Sequence, residues 1–112
     1  MTARIFISNA FSLQMLSMDA SHDIHTFPMT IGAVRELDRD RAQITSAIGH
    51  PDTARVVSDM LGFKVPAQRI NISLEPGDLL VVAQLIGGRL PEGATSLPEG
   101  FELRFVGVQV KS

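Results

Sequence analysis

The sequence predicts a single α/β domain spanning residues 1–112, built on a mixed sheet of about five strands flanked by helices. Three observations predict it. Short apolar runs of strand length alternate with segments that carry helix caps and stops. One neighbouring pair of runs, within residues 69–86, reads as a hairpin, which makes the sheet mixed. No low-complexity stretch or linker divides the 112 residues, a length that buries a core without disulfide or metal staples.

The first strand is Arg4 to Ser8, where Ile5-Phe6-Ile7 is a continuous apolar run suited to a strand covered on both faces. Ser12 can cap a short helical turn through Leu13–Leu16. Residues Ser17 to Asp23 are polar and loop-like. Ile24 to Met29 forms a second strand, which Pro28 confines to an edge. Thr30 is an N-cap for a helix through about Leu37, weakened by Gly32. Ile44 to Ile48 is a short strand.

Gly49-His50-Pro51-Asp52-Thr53 is the clearest local signal. Proline suits the first position of a helix, where its missing N–H costs nothing, and Asp52 places negative charge in the first turn. Ala54, Val57, Met60 and Leu61 then form an apolar stripe, and Gly62 supplies the stop. His50 therefore stands at the head of a helix of about ten residues.

Arg69 to Leu74 alternates, with Ile70, Ile72 and Leu74 on one face, and reads as a half-buried strand. Glu75-Pro76-Gly77-Asp78 is a turn into Leu79–Ile86, a central strand that is apolar except for Gln84. Phe101 to Val110 is the last strand; its apolar phase slips between Phe105 and Val106, which predicts a bulge or burial on both faces.

Composition removes several classes of function. With no cysteine in the chain, a thiolate nucleophile and a cysteine zinc site are excluded. The N-terminal apolar run is too short for a signal peptide, and no run reaches the roughly 18 residues of a membrane span; the reading is a cytoplasmic protein. A net charge of −2, six Phe, no Trp and no Tyr argue against a platform for long nucleic acid. A small anion in a local pocket stays open.

His50 is the best candidate for chemistry. Free N–H groups at a helix head favour an anion, and a histidine beside a bound phosphate can give a proton to a leaving oxygen. The same residue can equally do no more than start its helix. Arg69 lies on the polar side of its strand, and Arg89 follows Gly87-Gly88, where backbone can approach a ligand. The two could clamp phosphates through forked hydrogen bonds or be solvated surface groups. Gln84, read as buried, needs a partner: an adenine edge or a nearby backbone group. Glu92 sits in a Pro-Glu-Gly turn. His22 and His25 fall on opposite faces of a strand, a poor metal pair, and Asp38 to Arg41 is a solvated charge run. No metal-ligand set, phosphate-binding Gly-rich loop or nucleophile elbow is present.

Ser8-Asn9-Ala10-Phe11-Ser12-Leu13-Gln14-Met15-Leu16 resembles the "N-A-F-S-(I/L)-x-M-L" signature of the viral ring nucleases, anti-CRISPR proteins that act against type III CRISPR systems. Ala47-Ile48-Gly49-His50 is similar to the family's "(A/S)-I-G-H". The resemblance resumes at Gln68–Ile72, at Gln84 and at Gly88–Gly93, in the same order over most of the chain. Pro51-Asp52 stands where the viral pattern has Asp-Ser.

This resemblance implies a two-fold homodimer that binds cyclic tetra-adenylate and cuts it, without metal or cofactor, into linear di-adenylates ending in 2′,3′-cyclic phosphate. Carried over by position, His50 resembles the catalytic histidine and Glu92 the supporting glutamate. Asn9, Ser12, Arg69, Gln84 and Arg89 resemble the ligand-contacting set. A ribose 2′-hydroxyl would be the nucleophile, so the chain need supply only orientation, an acid and charge stabilisation. Two other readings use the same residues: a sponge that holds the ring uncut, and a small module that inhibits a protein partner.

Overall fold

The protein is described here by a computed structural model that covers residues 4–40 and 43–111. Met1–Ala3 of the N-terminal run and Arg41 of the charge run lie outside the described residues. Five strands form one mixed sheet: β1 (Ile5–Ser8), β2 (Ile24–Met29), β3 (Ile44–Ser46), β4 (Leu79–Ile86) and β5 (Glu102–Val110), in the order β2-β5-β4-β1-β3. β1 runs parallel to both β3 and β4, and β5 runs antiparallel to β4 and β2. Two helices, α1 (Ile31–Arg39) and α2 (Pro51–Leu61), and one 3₁₀ turn (Leu13–Met15) complete the described elements.

The apolar run of β1 is explained by its neighbours. Ile7 packs with Val81, Ala83 and Phe105 under Val34 of α1 and Ala54, Val57 and Leu61 of α2. Phe6 points the other way, into a cluster with Leu80, Val82, Val108 and Val110. Among the described residues, neither α-helix contributes to this second face. Leu16, Ile72 and Leu74, from two irregular stretches, close it instead. Each large side chain so buried contributes about 1.5–3 kcal/mol.

The caps are formed as the residue types demand. Thr30 Oγ1 accepts the Ala33 N–H at 3.0 Å, and Ser12 Oγ accepts the Gln14 N–H at 3.2 Å. Gly62 ends α2 in the left-handed conformation at φ 77°. α1 extends to Arg39, past the expected Leu37. Arg35, on this helix, donates to the carbonyls of Met60 and Leu61 at 2.7 and 3.2 Å, so α1 satisfies the open end of α2.

Two expectations are corrected. Residues 69–74 do not form a strand. Their alternation holds from Asn71 to Leu74, with Ile72 and Leu74 buried and Asn71 and Ser73 exposed, but Ile70 is exposed, and the segment lies on the sheet's second face rather than in its plane. Periodicity reports which side is buried, not whether a ladder partner exists. The hairpin expected within residues 69–86 is accordingly absent, and β4 pairs in that manner with β5. The slipped phase of β5 has the second of its two expected causes. Its register against β4 is unbroken from Leu79↔Gln109 to Ile86↔Glu102, and Phe105 and Val108 serve opposite clusters.

The chain from α2 to β4 passes around the outer edge of β3. Gln68 donates its backbone N–H to Ile48 O at 2.9 Å and its Nε2 to Ser46 O at 2.8 Å. This covers an edge that would otherwise be open and sets Arg69 beside Gly49. The same stretch is anchored at the sheet's opposite end by Arg4. Its guanidinium holds Asp78 through Nε at 3.1 Å and reaches Ser73 O at 3.0 Å.

Burial pushes the Asp78 carboxyl up, but hydrogen bonds from Arg4 and the Glu75 N–H, with the guanidinium charge, outweigh it and hold it below the ordinary aspartate range. A group depressed on folding contributes stability above its unfolded pKa, and that contribution disappears as pH falls through the folded value. The urea midpoint is therefore expected to drop below about pH 4, and Asp78→Asn to flatten that drop. An identical acid profile in the variant would contradict this role.

Candidate functional site

The carboxyl ends of the parallel strands β1, β3 and β4 share one end of the sheet, the position where ligands settle on open α/β sheets. Three loops leave from it. One carries Asn9, one carries Gly49-His50 into α2, and one runs from Gly87 to Gly93 with Arg89 and Glu92.

His50 is the N-cap of α2. Its Nδ1 accepts the Asp52 N–H at 3.2 Å. An Nδ1 that accepts this bond carries no proton. The ring's proton then sits on Nε2, which is free to donate to a ligand. His50 and Thr53 form one wall of an open cleft of about 340 Å³, and Leu85, Arg89 and Leu90 complete its lining. The cleft thus joins two leucines to an imidazole, a guanidinium and the Thr53 hydroxyl, a composition suited to a base joined to a phosphate.

The 87–93 loop needs glycine where it leaves β4. At Gly87, φ is 120°, and a Cβ there would come within 3.0 Å of Gly100 O and 3.1 Å of Phe101 Cα. The loop's far end is held by α2: the Gly93 N–H donates to Asp52 Oδ2 at 2.9 Å. The Glu92–Gly93 peptide therefore lies against the first turn of the helix that His50 caps. Glu92 itself is exposed.

Arg69 enters from the β3 side. Its stem lies over Gly49, where an added Cβ would come within 2.8 Å of Arg69 Cγ. The absence of a side chain at Gly49 is what lets the arginine lie over the residue that precedes His50.

The predicted set divides. His50 and Arg89 share the cleft, Arg69 lies over Gly49, the residue before His50, without lining the cleft, and Glu92 is tied to the head of α2 through Gly93. Asn9 is exposed just beyond β1. Ser12 lines a separate depression with Gln14, Met15, Ile70, Asn71 and Ile72. Gln84 is exposed, not buried, and its Nε2 reaches only the neighbouring Leu85 O at 3.3 Å. The reason is that β1 accompanies β4 only as far as Val82, so the last residues of β4 have a neighbour on one side alone. Gln84 also alternates with Leu85, and so faces away from the cleft. A smaller hollow of about 90 Å³ under Phe63 and Lys64 holds none of the predicted residues.

Sequence reasoning missed Asp52 as a link between α2 and the 87–93 loop. It also missed Thr53, Leu85 and Leu90 as lining. The acidic first turn was visible, but a carboxylate bonded to a backbone N–H 41 residues away leaves no local signal.

Residues 5–109 match the STIV B116-like family. The chain belongs to that family. It is 32% identical over 89 residues to "Uncharacterized protein 26" of a Sulfolobus islandicus filamentous virus, a match covering 80% of this chain and 73% of the relative. B116 of Sulfolobus turreted icosahedral virus has the same fold. The TM-score is 0.77 at 23% identity, covering 96% of this chain and 99% of that one. Both relatives are viral proteins. No helix among the described residues is long and apolar enough to cross a membrane.

Proposed function

We propose that this member of the B116-like family is a metal-independent ring nuclease. It would open cyclic tetra-adenylate into linear di-adenylates ending in 2′,3′-cyclic phosphate and so silence type III CRISPR signalling. The observation that carries the reading is His50, with Nδ1 occupied by its helix cap and Nε2–H left as a donor in a cleft shared with Arg89.

The chemistry follows from those groups. A ribose 2′-oxygen attacks its own phosphorus in line, losing its proton to solvent, and the bond from phosphorus to the 5′-oxygen breaks. The leaving oxygen takes the Nε2 proton. In exchange Nδ1 takes a proton from solvent, giving up its bond to the Asp52 N–H, so the proton released by the 2′-hydroxyl is returned and the ring ends neutral. Arg89 and Arg69 supply charge for the phosphates, and Glu92 stands on the loop beside them. The nucleophile is the substrate's own, so a chain without cysteine suffices.

A homodimer suits a ring of two-fold symmetry, because an isologous contact presents equal groups to opposite sides. The sheet's second face supports it. Exposed Ile86 lies there on β4 with Gln84, Ile24 lies there on β2, and exposed Ile70 lines the depression that holds Ser12. A second copy against this face would cover those side chains.

The test is chromatography of products after incubation with cyclic tetra- and hexa-adenylate, with and without EDTA. Equal cleavage of the tetra-adenylate ring in both conditions is expected. An intact ring that co-elutes with the protein would identify a sponge, and strict metal dependence would overturn the mechanism.

A further inference from the structure

Asp52 makes three connections at one point of the site. Its backbone N–H donates to His50 Nδ1, its Oδ2 accepts the Gly93 N–H at 2.9 Å, and its Oδ1 lies 3.6 Å from Arg55 NH1. The carboxylate is largely enclosed, with its side chain 14% exposed, while Arg55 is 49% exposed. The Gly93 bond, at 2.9 Å, is the close contact of the two, and the Arg55 pair, at 3.6 Å with a half-exposed guanidinium, is the looser one. Between Gly87, wedged against Gly100 and Phe101, and Gly93, held by Asp52, the loop has two fixed ends. Arg89 and Glu92 both lie within that span.

We propose that Asp52 is a positioning residue: its carboxylate latches the 87–93 loop to the first turn of α2 and so sets Arg89 and Glu92 in register with His50. The catalytic part of this proposal rests on the nuclease reading above. Asp52 touches no substrate in it. It acts by joining the imidazole's helix to the loop that carries the guanidinium and the glutamate. The imidazole is held through the backbone of the same residue, so a side-chain change at 52 releases the loop and leaves the His50 cap in place.

The test compares Asp52→Ala with Asp52→Asn, which retains a carbonyl acceptor for the Gly93 N–H. Two quantities are read on the full chain. One is amide exchange at Gly93 by NMR; the other is the single-turnover cleavage of cyclic tetra-adenylate at saturating protein. Asp52→Ala should speed Gly93 exchange and slow cleavage by about 10- to 100-fold, the scale of a small misplacement of catalytic groups. Asp52→Asn should restore most of both, and the thermal midpoints should stay close to one another. Unchanged Gly93 exchange in Asp52→Ala would overturn the latch. Faster exchange with an unchanged cleavage rate would overturn its role in the reaction. A wild-type protein that leaves the ring intact would sink the nuclease reading and the catalytic part with it, while the exchange data would still decide whether the latch exists.

Discussion

Replacing His50 with alanine is expected to slow opening of cyclic tetra-adenylate by about 10²- to 10⁴-fold, the usual contribution of a positioned acid, and to leave ring binding nearly unchanged. Binding survives because the charge that holds the phosphates sits on Arg69 and Arg89. The alanine change also removes the acceptor for the Asp52 N–H, which costs about 0.5–2 kcal/mol of stability in a typical N-cap. His50→Asn separates the two effects. Asparagine is a good cap and cannot deliver a proton to a leaving oxygen. Both variants should therefore be equally slow, with the asparagine protein the more stable. Single-turnover rates and thermal midpoints measure the two quantities, and an asparagine variant that cleaves at the wild-type rate would reduce His50 to a cap.

The second large effect falls on binding. Arg89→Ala is expected to weaken cyclic tetra-adenylate binding by about 10- to 100-fold, the equivalent of one charged hydrogen-bonding group worth roughly 1.5–3 kcal/mol. The guanidinium lines the cleft from an exposed loop, so its removal leaves no buried partner stranded and the fold should be unaffected. Arg89→Lys should recover only part of the loss, because an ammonium keeps the charge without the planar fork. Titration calorimetry with the His50→Asn background, which holds the ring uncut, measures this directly. The dependence of affinity on salt should also become shallower. An unchanged affinity would place the phosphates elsewhere.

Much of this architecture could be read from the residues, and the reasons differ by element. α2 was legible from Pro51 to Gly62 because both of its ends carry local chemistry, a proline start and a left-handed stop. β2 and β4 were legible from runs of strand length, and their observed bounds are Ile24–Met29 and Leu79–Ile86. Residues 69–74 misled because an extended segment lying over a sheet alternates just as a strand within it does. Gln84 misled because an apolar run suggests a buried strand, while burial at its end depends on how far β1 accompanies it.

The site divides along the same line. His50 was visible through its helix start. Its meeting with Arg89 across 39 residues, and the passage of Arg69 over Gly49, are properties of the sheet's shared end and of a segment that rounds the β3 edge. Ser12 and Gln84 carry the family resemblance, yet they stand outside the cleft of one chain. Both lie on or beside the sheet's second face, whereas the cleft opens on the helix side, a separation that only the paired sheet reveals.

The most direct measurement is a crystal structure of the protein with the 2′-deoxy form of the cyclic tetra-adenylate ring, which lacks the attacking hydroxyl and stays whole. The account predicts His50 Nε2 within about 3.2 Å of a bridging 5′-oxygen, with Arg89 on the same phosphate. A ring seated away from the head of α2, or with its phosphates out of reach of that imidazole, would contradict it.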